Sequence, residues 1–438
     1  MPRVRSPRSL YSANRPLLMP SLRPILAIAL SFLSAHAAEP AAQWWKGNLH
    51  THSLWSDGDD YPEMIADWYK RHGYHFLGLS DHNILSDHER WVSIAKNKGG
   101  ELAFGKYLAR WGEKWVETRE FEGEKQVRLK ALNDFRGKFD EPNRFLMIQS
   151  EEITAKNVHI NATNIQEQIL PYTGFDEKNS KSIVDAMQRT VNAVFEQRRR
   201  TGVPMFPHLN HPNFKWAITA EELMQVDNER FFEVYNGHPQ VNNDGDELHA
   251  STDRIWDIVL TQRLAQLGKD VMFGVGTDDS HNYHHEPKKN TLPGRGWVMV
   301  RSSKLAPAEL IAAMEKGDFY ASSGVTLKEM QFEKDRMSFE IDAESGVTYT
   351  TEFIGTRRGY DETSEPVLDK TGKPMRVTRR YSADIGAVLA KTTDLNPSYT
   401  LKGDEIYVRA RITSNKPKPN ASSAGEFERA WLQPLVGK

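Results

Sequence analysis

The chain has 438 residues, which at about 150 residues per domain predicts two to three domains with sizeable cores. Its 39% hydrophobic and 26% charged residues exclude a disordered chain and a protein that crosses a membrane many times. The formal net charge of −2 provides no overall basic field, so we expect no nucleic acid partner. There is no cysteine, which excludes disulfides, thiolate ligands and a cysteine nucleophile. Any metal must therefore bind to histidines and carboxylates.

Residues 1–37 have the features of a secretory signal peptide. They contain five arginines and no acidic residue, then an apolar run over 25–33, then small residues up to Ala37. The apolar run is shorter than the about 20 residues of a membrane-spanning helix, although an uncleaved anchor is the alternative. Either Met1 or Met19 is the start, since a complete leader begins at the latter. Cleavage after Ala37 would change the net charge from −2 to −7. The sequence thus predicts secretion across the inner membrane to the periplasm, with no membrane attachment afterwards.

Between residues 46 and 301, short apolar runs alternate with amphipathic segments. This alternation predicts parallel strands joined by crossover helices, in an α/β sheet or barrel. The predicted strands are 47–50, 76–80, 145–149, 158–164, 204–208, 231–235, 271–275 and 297–300. The predicted helices are 62–71, 182–200, 221–225 and 251–267.

A long charged stretch interrupts this alternation. Residues 86–143 have a helical composition and no strand signal, so we expect a helical insertion that lies over the end of a strand as a lid. After a predicted helix at 306–316 the pattern changes to short alternating segments separated by turn residues, typical of an antiparallel β domain. The predicted domains are 38–324, which includes the insertion, and a small C-terminal β-rich domain at 325–438.

Histidines and carboxylates follow several predicted strands at the point where each strand ends. His50 and His52 are two residues apart on an extended segment, so both side chains project to one side and can reach one ion. In a parallel barrel all the carboxyl ends of the strands open on one face, so we expect the candidates to converge. The alternative is that they are buried or loop residues without a metal. The other candidates are Asp57, His82, Glu151, Glu152, His159, His208, His211, Asp278, Asp279 and His281.

In combination these motifs resemble the PHP (polymerase and histidinol phosphatase) superfamily, and most closely its secreted CehA/McbA-like branch. The resemblance covers about residues 46–324 and implies a distorted (β/α)7 TIM-like barrel with two or three divalent metal ions. It is carried by the H-x-H with SDG, SDHN, SEEIT, NHPN and DDSH, and also by FFEVYNGHP and GRGW with GDFYASSG.

The resemblance also implies a role for each ligand. The first ion would lie between His50, His52 and Asp279, the second between Asp57, His82 and His281, and the third between His159 and His211. Glu152 would bridge ions, because the family's glutamate directly precedes an apolar residue and a threonine, as Glu152 does. His208 is the alternative to His211.

Asp57 departs from the family's pattern, since many trinuclear members have a histidine there. An aspartate makes the site harder and more anionic, which favours Mn, Fe or a mixed centre over zinc alone. The same departure leaves the occupancy of the third site open.

A centre of this kind can hydrolyse esters without a side-chain nucleophile, because ions about 3.5 to 4 Å apart lower the pKa of a bridging water. Glu152 and Asp279 would hold that bridging hydroxide, His238 could donate a proton to the leaving group, and Arg295 could hold a phosphate. We therefore predict a hydrolase of small-molecule esters, with phosphate esters the first choice. The alternatives are a carbamate or carboxylic ester hydrolase, which the CehA/McbA resemblance suggests, and a secreted binding module with a structural metal site. Substrate, metal identity and oligomeric state are not defined by the sequence.

Overall fold

A computed structural model describes residues 41–284 and 290–437. The predicted signal peptide lies outside the described residues. Across the described ranges no helix is both long and apolar enough to cross a membrane. The helices are α1 (Pro62–Arg71), α2 (Gly100–Trp111), α3 (Leu132–Phe135), α4 (Ser180–Thr201), α5 (Ala220–Leu223), α6 (Thr252–Gln262) and α7 (Pro307–Glu315). The strands are β1 (Gln43–Asn48), β2 (Phe76–Leu79), β3 (Arg90–Ser93), β4 (Thr118–Phe121), β5 (Glu124–Leu129), β6 (Leu146–Ala155), β7 (Val158–Thr163), β8 (Phe206–Leu209), β9 (Phe231–Asn236), β10 (Phe273–Thr277), β11 (Trp297–Ser302), β12 (Phe319–Ser322), β13 (Leu327–Phe332), β14 (Arg336–Ile341), β15 (Tyr349–Arg357), β16 (Ser364–Glu365), β17 (Arg380–Tyr381), β18 (Ala387–Thr392), β19 (Ser398–Thr400), β20 (Glu405–Pro417) and β21 (Phe427–Val436).

A mixed sheet of thirteen strands organises this α/β fold, in the order β10-β9-β8-β7-β6-β2-β1-β11-β12-β21-β20-β15-β18. Strands β8 to β10 pair in parallel, and so do β1, β2 and β6. Strand β7 is antiparallel to both of its neighbours, and β1 is antiparallel to β11. The prediction of parallel strands is wrong for β7 and β11. Only two residues connect β6 to β7, and a connection that short permits only antiparallel pairing.

Strand β10, at one edge of the sheet, approaches the interior strand β21 without a ladder of strand pairing between them. Gly274 in β10 lies opposite Gln433 in β21, and the Gln433 side-chain amide takes the place of a backbone partner. It accepts a hydrogen bond from Gly274 N at 2.9 Å and donates one to Gly274 O at 2.8 Å. At this point β10 and β21 are therefore joined by a side chain and not by strand pairing.

Two hydrophobic cores lie on the two sides of the curved sheet. Helices α4, α5 and α6 pack on the outer side of β7 to β9, where Val191, Leu223 and Trp256 are buried. The inner side is filled by aromatic rings from several strands, among them Phe206 and Phe231. Because this inner core occupies one end of the curved sheet, polar side chains can collect only at the other end, where the candidate ligands lie.

The stretch 86–143 is not wholly helical, which corrects the prediction of a helical insertion. It contains the antiparallel three-stranded sheet β3-β5-β4 as well as α2 and α3. Strand β4 is exposed along its whole length, and β5 buries only Val127 and Leu129. Strands with few buried side chains lack the extended alternation of apolar and polar residues by which a sequence indicates a strand.

Beyond residue 325 all described regular structure is β, as predicted. The large sheet continues across the predicted boundary, since β21 pairs with β12 and is followed by β20, β15 and β18. Strands β13, β14 and β19 form a separate small sheet that is packed on it through the cluster around Phe339 and Phe353. The described residues belong to one compact unit. The boundary at residue 324 stays a prediction.

Candidate metal centre

The nine predicted ligands lie together at one end of the sheet. His50 and His52 follow β1, His82 follows β2, Glu152 lies in β6, His159 begins β7, His211 follows β8, Asp279 and His281 follow β10, and Asp57 lies in the loop after β1. All nine take part in groups whose potential ligand atoms lie within 4.8 Å of one another. Strand β7 runs in the direction opposite to the predicted one, yet its first residues lie beside the last residues of β6. His159 therefore reaches the same end of the sheet.

Pairing that continues past the strand ends fixes this arrangement. His52 N donates to Ser280 O at 2.9 Å, and Asp279 N donates to His50 O at 3.0 Å. Asp279 has a φ of 51°, in the left-handed region that is costly for residues other than glycine. That conformation keeps both the backbone pairing and the carboxylate directed at the histidines.

The first group contains His50, His52, Glu152 and Asp279. The two histidine Nε2 atoms lie 3.1 Å apart. Glu152 Oε2 lies 3.4 and 3.3 Å from them, and Asp279 Oδ1 lies 3.2 Å from each. Metal–ligand bonds of about 2.0 to 2.1 Å at tetrahedral angles separate ligand atoms by about 3.3 Å. Each of the two carboxylates therefore has, with the two histidines, the spacing of ligands that share one ion.

The second group surrounds Asp57. Its Oδ1 lies 3.2 Å from His281 Nε2, 3.6 Å from His52 Nδ1 and 3.7 Å from His82 Nε2. The Asp57 side chain is 39% exposed, so this group opens to solvent while the first group is buried. His52 faces the first group with Nε2 and the second with Nδ1.

Glu152 lies between the first group and a third. Its Oε1 lies 2.8 Å from His159 Nδ1 and 3.5 Å from His211 Nε2, whereas its Oε2 faces His50 and His52. A carboxylate whose two oxygens face different sets of imidazoles has the geometry of a bridging ligand. The ion that each residue binds stays a prediction.

The hydrogen bonds of three histidines test whether these residues fit a metal. One ring nitrogen of each lies against an acceptor: His50 Nδ1 is 2.7 Å from Glu233 Oε1, His159 Nε2 is 3.1 Å from Lys156 O, and His281 Nδ1 is 2.9 Å from Asp279 O. A neutral imidazole that donates there turns a lone pair towards a carboxylate of the centre. The imidazole lone pair and the carboxylate oxygen are both acceptors, so a cation is needed between them. The buried Glu152 Oε2 lies 2.8 Å from His82 Nδ1 and also faces His50 and His52, so several imidazoles surround one carboxylate oxygen. The residues therefore fit divalent ions, held by oriented neutral histidines.

Burial and charge act in opposite directions on these groups. Burial raises the pKa of Glu152, but the imidazoles of His82 and His50 outweigh it and hold that pKa well below its usual value. Burial also raises the pKa of Asp279, but the imidazole of His50 outweighs it and the pKa is lowered. Burial lowers the pKa of His52 to about 3, with a further contribution from His281. For His82 the charge of Glu152 outweighs burial and raises the pKa to about 9, and the pKa values of His50 and His281 are raised as well. Without a metal these histidines take up protons, which bound divalent ions would displace.

Glu233 is a functional candidate that the sequence reasoning did not find. It is fully buried in β9, accepts from Thr277 Oγ1 at 2.7 Å and from His211 N at 2.7 Å, and contacts His50 as described above. Glu233 therefore orients the ring of His50 and the backbone of the loop that carries His211. A charged residue inside the apolar strand FFEVYN was the available signal. His208 lies behind the centre, with Nε2 3.6 Å from Glu233, whereas His211 faces Glu152.

The two predicted helper residues have different positions. His238 lies beside the centre, with its ring centroid 5.8 Å from that of His281. Its Nδ1 accepts from Gln240 N at 3.1 Å, so the neutral ring carries its proton on Nε2. Burial lowers the pKa of His238 to about 4.

Arg295 is buried, and its guanidinium donates to the carbonyl oxygens of Asn420, Gly237 and Asn290 at 2.7, 2.9 and 2.8 Å. The prediction that Arg295 holds a substrate phosphate is corrected, because these bonds direct its guanidinium to backbone oxygens. It joins the loop after β9 to the segment between β20 and β21.

Comparison with known proteins adds two structural likenesses. No protein-family profile matches the chain, and no curated protein is significantly similar to it. A two-domain protein from Bacteroides vulgatus that contains a predicted PHP-like metal-dependent phosphoesterase aligns over 90% of this chain and 95% of its own, at 13% identity and a TM-score of 0.36. A Bifidobacterium adolescentis protein assigned as a metal-dependent phosphoesterase aligns over 58% and 92%, at 13% identity and a TM-score of 0.26. Scores this low carry no argument, so the case for function depends on the centre itself.

Proposed function

We propose that the protein is a metal-dependent phosphoesterase of the PHP type. The observation that supports it most is the fully buried Glu152, whose two oxygens face two sets of imidazoles, with His82 2.8 Å from Oε2 and His159 2.8 Å from Oε1. Four carboxylates, those of Asp57, Glu152, Glu233 and Asp279, collect here among histidines. A buried excess of negative charge needs cations, and oxygen and imidazole ligands suit divalent ions.

Bound divalent ions would supply a water of lowered pKa and neutralise the charge that develops on a phosphoryl group. The chain's own residues have separate tasks. Glu152 and Asp279 hold the anionic side of the centre, and Glu233 fixes the ring of His50. Burial lowers the pKa of His238 to about 4, so the ring is neutral and its Nε2–H can donate a hydrogen bond to a leaving oxygen.

Phe214 provides an apolar wall at the same place. Its ring centroid lies 5.2 Å from that of His211, 6.1 Å from that of His159 and 5.9 Å from that of His238. It therefore excludes water from the side of the centre where His238 donates. Water exclusion strengthens each electrostatic contact made there.

We further propose that the fold is a distorted (β/α)7 barrel and that the protein belongs to the CehA/McbA-like branch. It would bind two or three ions of Mn, Fe or Zn and be exported to the periplasm after loss of the first 37 residues. The support for these proposals is the motif combination and the leader-like composition of the sequence.

The test is hydrolysis by the purified protein before and after metal removal. We expect chelation to abolish hydrolysis of an aryl phosphate and Mn²⁺, Fe²⁺ or Zn²⁺ to restore it, with a smaller rate on the matched aryl carbamate. Metal analysis of the same sample gives the number of ions. Hydrolysis that is unaffected by chelation would refute the proposed centre. A metal-loaded protein that cleaves neither ester would leave a binding module with a structural metal site.

A further inference from the structure

A groove of about 320 Å³ opens beside the candidate metal centre. One wall is the loop after β1, with Ser56 and Gly58, and the other is the insertion, with Arg90 in β3 and with Lys96 and Lys98 in the turn that follows it. We refer to it as the basic groove, after those three cations. Its volume is at the lower end of the about 300 to 1,000 Å³ that is typical of small-ligand pockets, so it suits a compact group.

The turn that carries the two lysines is held in place. Asn97 Oδ1 accepts from Gly99 N and Gly100 N at 3.0 and 2.8 Å, while its Nδ2 donates to Ser93 O at 2.7 Å. A Cβ at Gly99 would lie 2.3 Å from Asp59 O, so only glycine permits the turn to pack this closely on the loop after β1. The insertion therefore forms a fixed wall of the groove.

The basic groove is continuous with the centre through Asp57. Lys98 Nζ lies 3.3 Å from Asp57 Oδ2, and Asp57 Oδ1 lies 3.2 Å from His281 Nε2. Ser56 Oγ lies 3.4 Å from His52 Nδ1. A substrate with its reacting group at the centre would therefore extend directly between the two walls.

The positive charge of the groove exceeds what its own carboxylates neutralise. Lys96 pairs with Glu124, and Lys98 pairs with Asp57, a carboxylate that a bound ion would also share. Arg90 forms no ion pair with any residue in the described ranges, and its guanidinium lies 5.7 Å from the centroid of the Trp55 ring. A guanidinium and an ammonium are the groups that bind phosphate or carboxylate.

We propose that the basic groove binds a second anionic group of the substrate. The preferred substrate is then a small organophosphate that bears a further phosphate or carboxylate. This inference rests on the phosphoesterase function proposed above. Ions at the centre would neutralise the reacting phosphate, so the cations on the far side of Asp57 serve a different anion.

Three esters of equal chain length test it: butyl phosphate, 4-(phosphonooxy)butanoate and butane-1,4-diyl bisphosphate. With the metal-loaded protein we expect kcat/KM for the two anionic esters to exceed that for butyl phosphate by about tenfold, the effect of one charge-assisted hydrogen bond. The advantage should shrink at high salt, because exposed charges are screened. A preference for one anionic ester over the other identifies the second group as carboxylate or phosphate, and either result supports the groove.

The variants Arg90→Met and Lys98→Met and their combination should reduce that ratio stepwise towards one. Lys370→Met removes an exposed lysine from a turn of the C-terminal region and is the matched control, for which we expect an unchanged ratio. Metal analysis confirms that each variant has the same metal content. Equal kcat/KM for all three esters in the unaltered protein, or an unchanged ratio in the double variant, would overturn the proposal.

A binding measurement separates failure of the groove from failure of the proposed function. If none of the three esters is cleaved, the phosphoesterase assignment fails. Calorimetry with butane-1,4-diyl bisphosphonate and butylphosphonate then decides about the groove alone. Tighter binding of the bisphosphonate that is lost in the double variant supports it, and equal binding overturns it.

Discussion

Two clusters of buried charge in this protein differ in how their charge is balanced. One is the candidate metal centre, where four carboxylates face histidines. The other joins α6 to the sheet strands β15, β18 and β20. There Arg409 donates to both oxygens of Asp257, with Nε to Oδ1 at 2.7 Å and Nη2 to Oδ2 at 2.8 Å.

The second cluster is neutral by itself. Three cations (Arg409, Arg411 and Lys391) face three carboxylates (Asp253, Asp257 and Glu352). Burial lowers the pKa of Arg409, but Asp257 and Asp253 outweigh it, so its pKa is raised and the guanidinium stays charged. The cluster therefore supplies every partner that its charges need.

The metal centre lacks such internal partners. Lys98 is exposed and pairs with Asp57, the outermost carboxylate, and within the described ranges no lysine or arginine pairs with Glu152, Glu233 or Asp279. Deep in the centre the carboxylates of Glu152 and Asp279 face imidazole nitrogens. Buried charge therefore indicates a bound ligand only where the chain itself does not supply the opposite charge.

The largest expected effect is loss of hydrolysis in Asp279→Asn. Because Asp279 Oδ1 is equally close to His50 and His52, its charge is central to the first group. We expect kcat/KM to fall by about 10,000-fold or more, equivalent to about 5.5 kcal/mol in the barrier. Hydrolysis assays with circular dichroism as the folding control measure this. Turnover within tenfold of the unaltered protein would contradict the assignment of Asp279.

The self-neutralised cluster should respond in the opposite way. Arg409→Met leaves Asp257 buried without its cation, so we expect the free energy of unfolding to fall by about 3 to 5 kcal/mol with unchanged metal content. Denaturant unfolding and metal analysis measure the two quantities. The matched double variant Asp257→Leu with Arg409→Met should recover most of the loss. A double variant as unstable as the single one would show that the pair is not the source.

A smaller effect is expected for the carboxylate behind the centre. Glu233→Gln keeps an oxygen for His50 Nδ1 but removes the charge, so metal affinity should fall by about 10- to 100-fold. Titration of the metal-free protein with Mn²⁺ measures the affinity. Glu340→Gln, at an exposed pair with Lys328, is the control and should leave the affinity unchanged. Equal affinities in Glu233→Gln and the unaltered protein would limit Glu233 to packing.

The sequence could predict a residue's place in the site only where position along the chain defines position in the fold. The candidate ligands could be brought together because most of them lie at or just after a strand end, where sequence position and spatial position coincide. Their binding of metal stays a prediction. Glu233 was missed because its role comes from a neighbouring strand, through His50 Nδ1. Arg295 was placed wrongly because closeness to a motif does not define the direction of a side chain. Its guanidinium binds carbonyl oxygens in a loop more than 120 residues away in the chain.

Prediction of the fold failed where one local sequence pattern is compatible with two structures. The alternation of apolar runs located β6, β7 and β8, but it could not show that the short turn after β6 reverses the chain. The strands of the insertion bury too few side chains to reveal a period of two. Both errors concern the direction or exposure of strands, and neither moves the ends at which the ligands lie.

The smallest expected effect is the sharpest test of an incomplete cluster. In the metal-free protein the ionised Asp279 is balanced only by histidines that take up protons, as its lowered pKa beside His50 indicates. We therefore expect Asp279→Asn to lower the free energy of unfolding of the metal-free protein by only about 1 kcal/mol, a size typical of single substitutions. Denaturant unfolding in the presence of a chelator measures it. Asp257→Asn is the matched control, and it should destabilise more because Arg409 loses its partner. If both variants destabilise the metal-free protein equally, the metal centre is as self-sufficient as the other cluster, and the argument for bound ions is lost.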